Sequence, residues 1–89
     1  MALFPLGQTV ATPGALQLLE ASGTSPLCLL NRHQRGDWGE LDPEDVRENE
    51  TSLRAGFRLL SAYTVAGQKL WVITEADRSA TTILLPEEY

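Results

Sequence analysis

Three dipeptides in the first half of the chain limit its fold more than any other feature: Thr12-Pro13, Ser25-Pro26 and Asp42-Pro43. Each places a side-chain acceptor at a helix N-cap and a proline at the first helical position, where the missing N–H has no partner to lose. A glycine suited to the left-handed position beyond a helix end follows each segment: Gly23, Gly36 and Gly56. The sequence therefore predicts helices at 13–22, 26–35 and 43–55.

After Gly56 the hydrophobic pattern changes from a helical to an extended period. Segments rich in Val, Ile, Thr, Leu and aromatic residues predict three strands: 57–65, 68–75 and 80–85. The turns between them, at 66–67 and 76–79, have hairpin lengths, and a further strand near 6–11 is expected at the sheet edge. We expect a single α+β domain over residues 1–89, with three N-terminal helices followed by a three- or four-stranded antiparallel meander sheet.

Both faces of the predicted sheet are apolar. In the middle strand Trp71 and Ile73 point to one face while Leu70 and Val72 point to the other. Helices cover one face, and the second face needs either a folded-over helix or a second subunit, so a homodimer or a tight complex with a protein partner is expected. The predicted core consists of Leu16, Leu19, Leu27, Leu30, Leu60, Trp71, Ile73 and Ile83.

Charge and cysteine content restrict the function and the compartment. Lys and Arg number 7 against 12 Asp and Glu, and the formal net charge of −5 argues against nonspecific binding to phosphate backbones. A single cysteine, Cys28, and an N-terminus without basic residues favour a cytoplasmic location, and no stretch is long and apolar enough for a membrane span. No nucleotide-binding motif is present, and Cys28 and His33 lack further ligands, so neither a cofactor nor a metal is expected.

An acidic stretch is the first candidate site. Seven of the fourteen residues from 37 to 50 are Asp or Glu, against Arg47 alone. The stretch is either a solvated helix face or a docking surface for a basic partner, such as a nucleic-acid-binding protein whose groove it would occupy. Trp38 is either an aromatic anchor of this surface or a residue that pins the loop to the core. The predicted partner-binding residues are Asp37, Trp38, Glu40, Glu44, Asp45 and Glu48.

The second candidate site surrounds the only histidine. His33 lies between two arginines at the end of the second predicted helix, where its neighbours either meet the last helix carbonyls or take part in chemistry. Cleavage of a phosphodiester by an RNA 2′-hydroxyl needs a proton-transfer group and fixed positive charge, and it requires no metal. This alternative is an RNase-like activity on RNA. Its predicted residues are His33, Arg32, Arg58, Tyr63, Arg78 and Thr82, and Thr81 would assist as the neighbour of Thr82.

Three segments, 36–39, 58–63 and 71–82, resemble small uncharacterised plasmid-related proteins of bacterial plasmids and integrative elements. The resemblance runs from Phe4 to Tyr89. It implies an accessory role on a mobile genetic element, where toxins, antitoxins and inhibitors of host defence are common. A looser similarity in fold links the helices and meander to RelE-type and barnase-like RNases.

Two functions follow from these features. The first is a small acidic accessory protein that acts by protein binding, as an inhibitor of a nucleic-acid-binding host or defence protein. The alternative is a metal-independent RelE- or barnase-like toxin that uses His33 and the arginines.

Overall fold

The three helices begin at the predicted prolines in a computed structural model that describes residues 2–89. They are α1 (Pro13–Ser22), α2 (Pro26–Gln34) and α3 (Pro43–Ala55). A side chain at each N-cap accepts a hydrogen bond from a backbone N–H of the first turn: Thr12, Ser25 and Asp42. Left-handed glycines follow all three helices. Helix α2 ends one residue before the predicted boundary, so right-handed Arg35 precedes Gly36, whose φ is +84°.

Four strands form one sheet in the order β1-β4-β3-β2. They are β1 (Gln8–Ala11), β2 (Leu59–Val65), β3 (Gln68–Thr74) and β4 (Ala80–Leu84), and a 3-10 turn at Pro86–Glu88 closes the chain. Strands β2, β3 and β4 are antiparallel neighbours, whereas β1 pairs in parallel with β4, from Gln8 opposite Ala80 to Ala11 opposite Ile83.

The predicted arrangement of helices followed by an antiparallel meander is therefore wrong. The fold is α+β, and the strand expected near 6–11 forms at the sheet edge, but it pairs in parallel with β4, so the sheet is mixed. A parallel pair needs a long connection, and the three helices with β2 and β3 provide it between β1 and β4. Alternation of side chains within a four-residue strand carries no information about its direction, which is why the sequence pattern missed the parallel pair.

Helices α1 and α2 cover one face of the sheet, which we call the helix face. Their buried side chains pack on β2, β3 and β4 in one cluster: Ala15, Leu18, Leu19, Leu29, Leu30, Tyr63, Val65, Leu70, Val72 and Ile83. Five predicted core residues are not in it. Leu16 (46% exposed) and Leu27 (67% exposed) lie on the outer sides of their helices. Leu60, Trp71 and Ile73 point to the opposite face of the sheet. The predicted core positions Leu19, Leu30 and Ile83 are buried.

The opposite face, which we call the open face, is covered by the C-terminal segment instead of a helix. Ile73 and Leu84 are buried there, whereas Leu60 and Trp71 are half-buried. The ring of Tyr89 lies 5.8 Å from that of Trp71 in an edge-to-face arrangement. Burial of this face by a second subunit stays a prediction.

A second apolar cluster attaches α3 to the edge of β2. Phe4, Trp38 and Leu59 are its buried members, and Val46 and Leu53 of α3 pack against them. Within residues 2–89, no helix has the length and apolar content needed to cross a bilayer.

The segment around Gly39 runs beside β2 as an extra rung of the sheet. The N–H of Ala62 donates to the Trp38 carbonyl at 3.0 Å, and the N–H of Glu40 donates to the Ala62 carbonyl at 2.7 Å. Gly39 has a φ of +76° and approaches β2 so closely that an added Cβ would collide with the Ala62 carbonyl oxygen and the Tyr63 ring.

Gly39→Ala should therefore destabilise the fold more than the same exchange at an open site. Gly67 is the matched control, because its φ is +78° and no atom lies within 4 Å of an added Cβ. We expect Gly67→Ala to lower the free energy of unfolding by about 1 kcal/mol through left-handed strain, and Gly39→Ala to cost about 2 kcal/mol more through the collision. Urea unfolding measures both variants, and equal losses would contradict the close approach.

Candidate functional site

The predicted proton-transfer group, His33, is completely buried at 0% exposure. Helix α2 carries it onto the helix face, where Nδ1 lies 2.5 Å from Oγ of Ser61 and Nε2 lies 2.9 Å from Oγ1 of Thr74. Thr74 Oγ1 lies 2.7 Å from Thr81 Oγ1. The Thr81 hydroxyl donates to the Leu6 carbonyl at 2.8 Å. These five residues form a continuous hydrogen-bonded series, which we call the buried polar chain.

The carbonyl at its end determines the direction of the hydrogen bonds from Leu6 as far as His33. A carbonyl only accepts, so the single hydroxyl proton of Thr81 is used on Leu6. Thr74 must then donate to Thr81, and it must accept from Nε2 of His33. Nε2 of His33 therefore carries a proton. Because the buried ring is neutral at pH 7, its pKa being lowered to about 4, Nδ1 accepts a hydrogen bond from the Ser61 hydroxyl.

The surroundings of His33 keep it neutral. Burial, together with the positive charge of Arg78, lowers the pKa of the imidazole from 6.5 to about 4. The rings of Phe4 and Trp38 lie 5.2 Å and 5.6 Å from it, both edge to face. A histidine in this position is a structural core residue, because substrate cannot reach either ring nitrogen.

Arg32 is held by an ion pair and by an aromatic ring. Its Nε lies 2.7 Å from Asp37, and the guanidinium carbon lies 4.4 Å from the centroid of the Tyr63 ring. The Tyr63 hydroxyl donates to the Asp37 backbone carbonyl at 2.6 Å. The hydrogen bond from Arg32 is the main reason that the pKa of the Asp37 carboxyl lies below its usual value. This cluster fastens the loop after α2 to the sheet.

Arg78 stabilises a junction of three segments. Its guanidinium donates to the carbonyls of Phe57 at 2.7 Å, Ser52 at 3.0 Å and Glu75 at 3.1 Å. The end of α3, the start of β2 and the turn after β3 are thereby joined through one side chain. Arg78 thus serves as a positioning residue for Phe57.

The six residues predicted for RNA cleavage do not meet. Arg58 and Thr82 share a shallow cleft of about 240 Å³ on the open face. Arg58 is already engaged there, with Tyr89 at 2.7 Å and Glu75 at 3.4 Å. His33 and Tyr63 lie buried on the helix face, so the sheet separates the expected base from these groups. The six side chains do not gather at one face of the sheet, because adjacent residues in a strand point to opposite faces.

The acidic stretch contributes to a different site, a surface cleft of about 450 Å³ on the outer side of α3. We call it the acidic cleft; its lining residues are Glu44, Arg47, Glu48, Thr51 and Phe57. The first four follow one another at helical spacing on one side of α3. The Phe57 ring is 58% exposed and forms the apolar part of the cleft.

Within residues 2–89, the carboxylates of the acidic cleft form no ion pair. Among residues 2–89 the ion pairs are Arg32 with Asp37 and Arg58 with Glu75, so neither Glu44 nor Glu48 is neutralised by Arg47 in the same cleft. Asp42 is engaged differently, because its carboxylate accepts the Asp45 N–H at 3.0 Å as the helix cap. The free negative charge is therefore concentrated beside the exposed aromatic ring.

The other predicted partner-binding residues lie elsewhere. Trp38 is buried against Phe4 at a ring distance of 6.2 Å, which is the core interpretation and not the surface anchor. Asp37 is paired with Arg32. Glu40 is exposed beside β2, and Asp45 is half-buried at the first turn of α3.

Sequence reasoning missed Phe57 as a surface residue, because it was assigned to the start of a strand. Gly56 is left-handed and ends α3, so the chain reverses and the next side chain is left outside the sheet. The available signal was an aromatic residue directly after a helix-ending glycine, next to an acidic helix.

Within the described part of the chain, no group of three or more His, Cys, Asp or Glu side chains is arranged to hold a metal ion. Comparison with protein-family models, with curated proteins and with solved structures finds no match to this chain. The resemblance to plasmid-related proteins stays a prediction. Any function must therefore be inferred from the geometry of the chain's own residues.

The buried polar chain should make stability depend on pH. As the pH falls, the unfolded chain protonates its histidine near pH 6.5, whereas the folded protein does so only near pH 4. The contribution of His33 is complete above pH 6.5 and is lost as the pH falls to about 4, by about 3 kcal/mol in total. Urea unfolding between these values measures the loss, and an NMR titration of the ring identifies its source. A ring that titrates near 6.5, or one with its proton on Nδ1, would contradict the structure.

Proposed function

We propose that the protein acts by binding a basic protein partner through the acidic cleft. The observation that carries the proposal is the exposed Phe57 ring in the same cleft as the unpaired carboxylates of Glu44 and Glu48. A purely solvated helix face has no need of an exposed aromatic side chain, whereas interfaces are enriched in such residues.

The two kinds of group have different roles in binding. Carboxylates attract a basic surface over a distance and accelerate encounter, and this effect weakens as salt is added. Burial of the Phe57 ring supplies short-range free energy and slows dissociation. Arg47 is the one cationic side chain that lines the cleft. Its guanidinium requires a hydrogen-bond acceptor on the partner, which adds specificity.

The class of partner that fits best is a nucleic-acid-binding protein. Its basic groove evolved to hold a row of negative charges, and the carboxylates of α3 offer such a row at helical spacing on a rigid support. Occupation of that groove would inhibit the partner. The resemblance to plasmid-related proteins supports an accessory role of this kind on a mobile genetic element, in which the target is a host or defence protein.

Two double variants with equal charge test the proposal. Glu44→Lys with Glu48→Lys takes the formal net charge from −5 to −1, and Glu20→Lys with Glu87→Lys makes the same change at exposed positions outside the cleft. The immobilised protein captures binders from a nuclease-treated bacterial lysate, and kinetics are then measured with the purified binder. We expect the cleft variant to slow association about tenfold or more and to flatten its salt dependence, while the control stays close to wild type.

Phe57→Ala should raise the dissociation rate about tenfold or more, which corresponds to a hot spot of at least about 1.4 kcal/mol. Because the ring is mostly exposed, a thermal melt should show little loss of stability. Duplex DNA or RNA added in excess should compete with the protein for the captured binder. Equal effects of the two double variants, or a binder unaffected by nucleic acid, would contradict the proposed partner class.

A further inference from the structure

The two edges of the sheet differ in how their backbone groups are satisfied. At the β2 edge, the Asn49 side chain accepts from the Leu60 N–H at 3.1 Å and donates to the Leu60 carbonyl at 2.6 Å. The next outward-facing residue, Ala62, is bonded to the segment around Gly39 on both its N–H and its carbonyl. The chain itself therefore closes this edge at Leu60 and Ala62.

The β1 edge is open. The N–H groups of Gln8 and Thr12 donate toward β4, to the carbonyls of Ser79 at 2.9 Å and Ile83 at 3.0 Å. Successive residues of a strand direct their backbone groups to alternate sides, so Thr9 and Ala11 direct theirs away from the sheet. Within the described residues 2–89, β1 has β4 as its one neighbouring strand.

Apart from its length of four residues, nothing in the sequence of β1 protects this edge. Natural edge strands avoid further pairing through lysines, prolines, bulges or inward-pointing charges, and the segment Gln8–Ala11 contains no charged residue and no proline. Its Val10 side chain lies on the open face and is 44% exposed. The strand is bounded by Gly7, where a Cβ would collide with Ser79, and by Pro13, which has no N–H.

We propose that a second copy of the chain pairs with this edge, so that two β1 strands run antiparallel about a two-fold axis at Val10. Thr9 of one copy then lies opposite Ala11 of the other, and the outward N–H and carbonyl groups of both residues form four hydrogen bonds. The two Val10 side chains meet as a close, non-hydrogen-bonded pair on the open face. The result is one continuous sheet of eight strands.

The distribution of charge favours a second copy as the occupant. The acidic helix α3 packs beside β2, at the far edge of the sheet, and β1 itself is neutral. Two chains of formal charge −5 can therefore approach through β1 with their acidic surfaces far apart. Because the ladder is short, the dimer should dissociate on dilution. The acidic cleft stays free in it.

A like-charge pair at the axis tests the proposal. Val10→Lys places two ammonium groups directly opposite each other in the dimer, whereas it leaves the pairing with β4 intact. Leu27→Lys is the control, because it also replaces an exposed aliphatic side chain by lysine, on helix α2, which packs against β3. Sedimentation equilibrium from micromolar to millimolar concentration should show wild type and Leu27→Lys approaching twice 9.8 kDa. Val10→Lys should weaken the dimer at least about tenfold.

Thr9→Pro gives a second test that does not depend on charge. Proline is tolerated in an edge strand where the lost N–H faces solvent, and it removes two of the four proposed hydrogen bonds. The Thr9→Pro variant should therefore be more monomeric than wild type at the same concentration, and circular dichroism should show that its fold is intact. A wild-type mass of 9.8 kDa at every concentration would overturn the proposal, even if an unrelated strand-forming peptide bound the edge. A folded Val10→Lys that dimerises like wild type would overturn it as well.

Discussion

The buried polar chain from Ser61 through His33, Thr74 and Thr81 to the Leu6 carbonyl is the interaction on which the arrangement of this small core depends. Buried polar groups cost several kcal/mol when they are left unpaired, so each hydrogen bond in the series requires the next. The series links α2, three strands and the segment before β1. No buried side-chain polar atom in residues 2–89 lacks a partner. A slipped register or a shifted helix would break several of these bonds together.

This use of polar groups has a consequence for function. Three of the residues predicted to carry chemistry, His33, Arg32 and Arg78, are engaged in the interior or at structural junctions. The two surfaces proposed to bind other molecules lie at opposite edges of the sheet. The acidic cleft, with the exposed Phe57 ring, lies beside the β2 edge. The outward backbone N–H and carbonyl groups of Thr9 and Ala11 lie at the β1 edge. The two surfaces are far enough apart in sheet order to be used at the same time.

Sequence signals that act within one helical turn predicted local structure well, but they did not predict contacts between residues distant in the sequence. The helix starts could be predicted because a cap and a proline act within one turn, as at Thr12 and Pro13. The burial of His33 could not be predicted in this way, because its hydrogen-bond partners lie 28 and 41 residues away in the sequence. The acidic helix was found from composition, whereas the exposure of Phe57 depends on a left-handed glycine and on Arg78 from another turn.

The dependence of the fold on the buried polar chain is tested most directly by a double-mutant cycle between Thr74 and Thr81. Thr81→Val leaves the Thr74 hydroxyl without an acceptor, and Thr74→Val removes that hydroxyl, so the double variant should lose less stability than the sum of the single variants. Each single exchange should cost about 1–3 kcal/mol in the free energy of unfolding, because it leaves a buried donor unpaired. We predict a coupling energy of about 1 kcal/mol or more. Losses that add to within about 0.5 kcal/mol would show that the two hydroxyls act independently and would contradict the account.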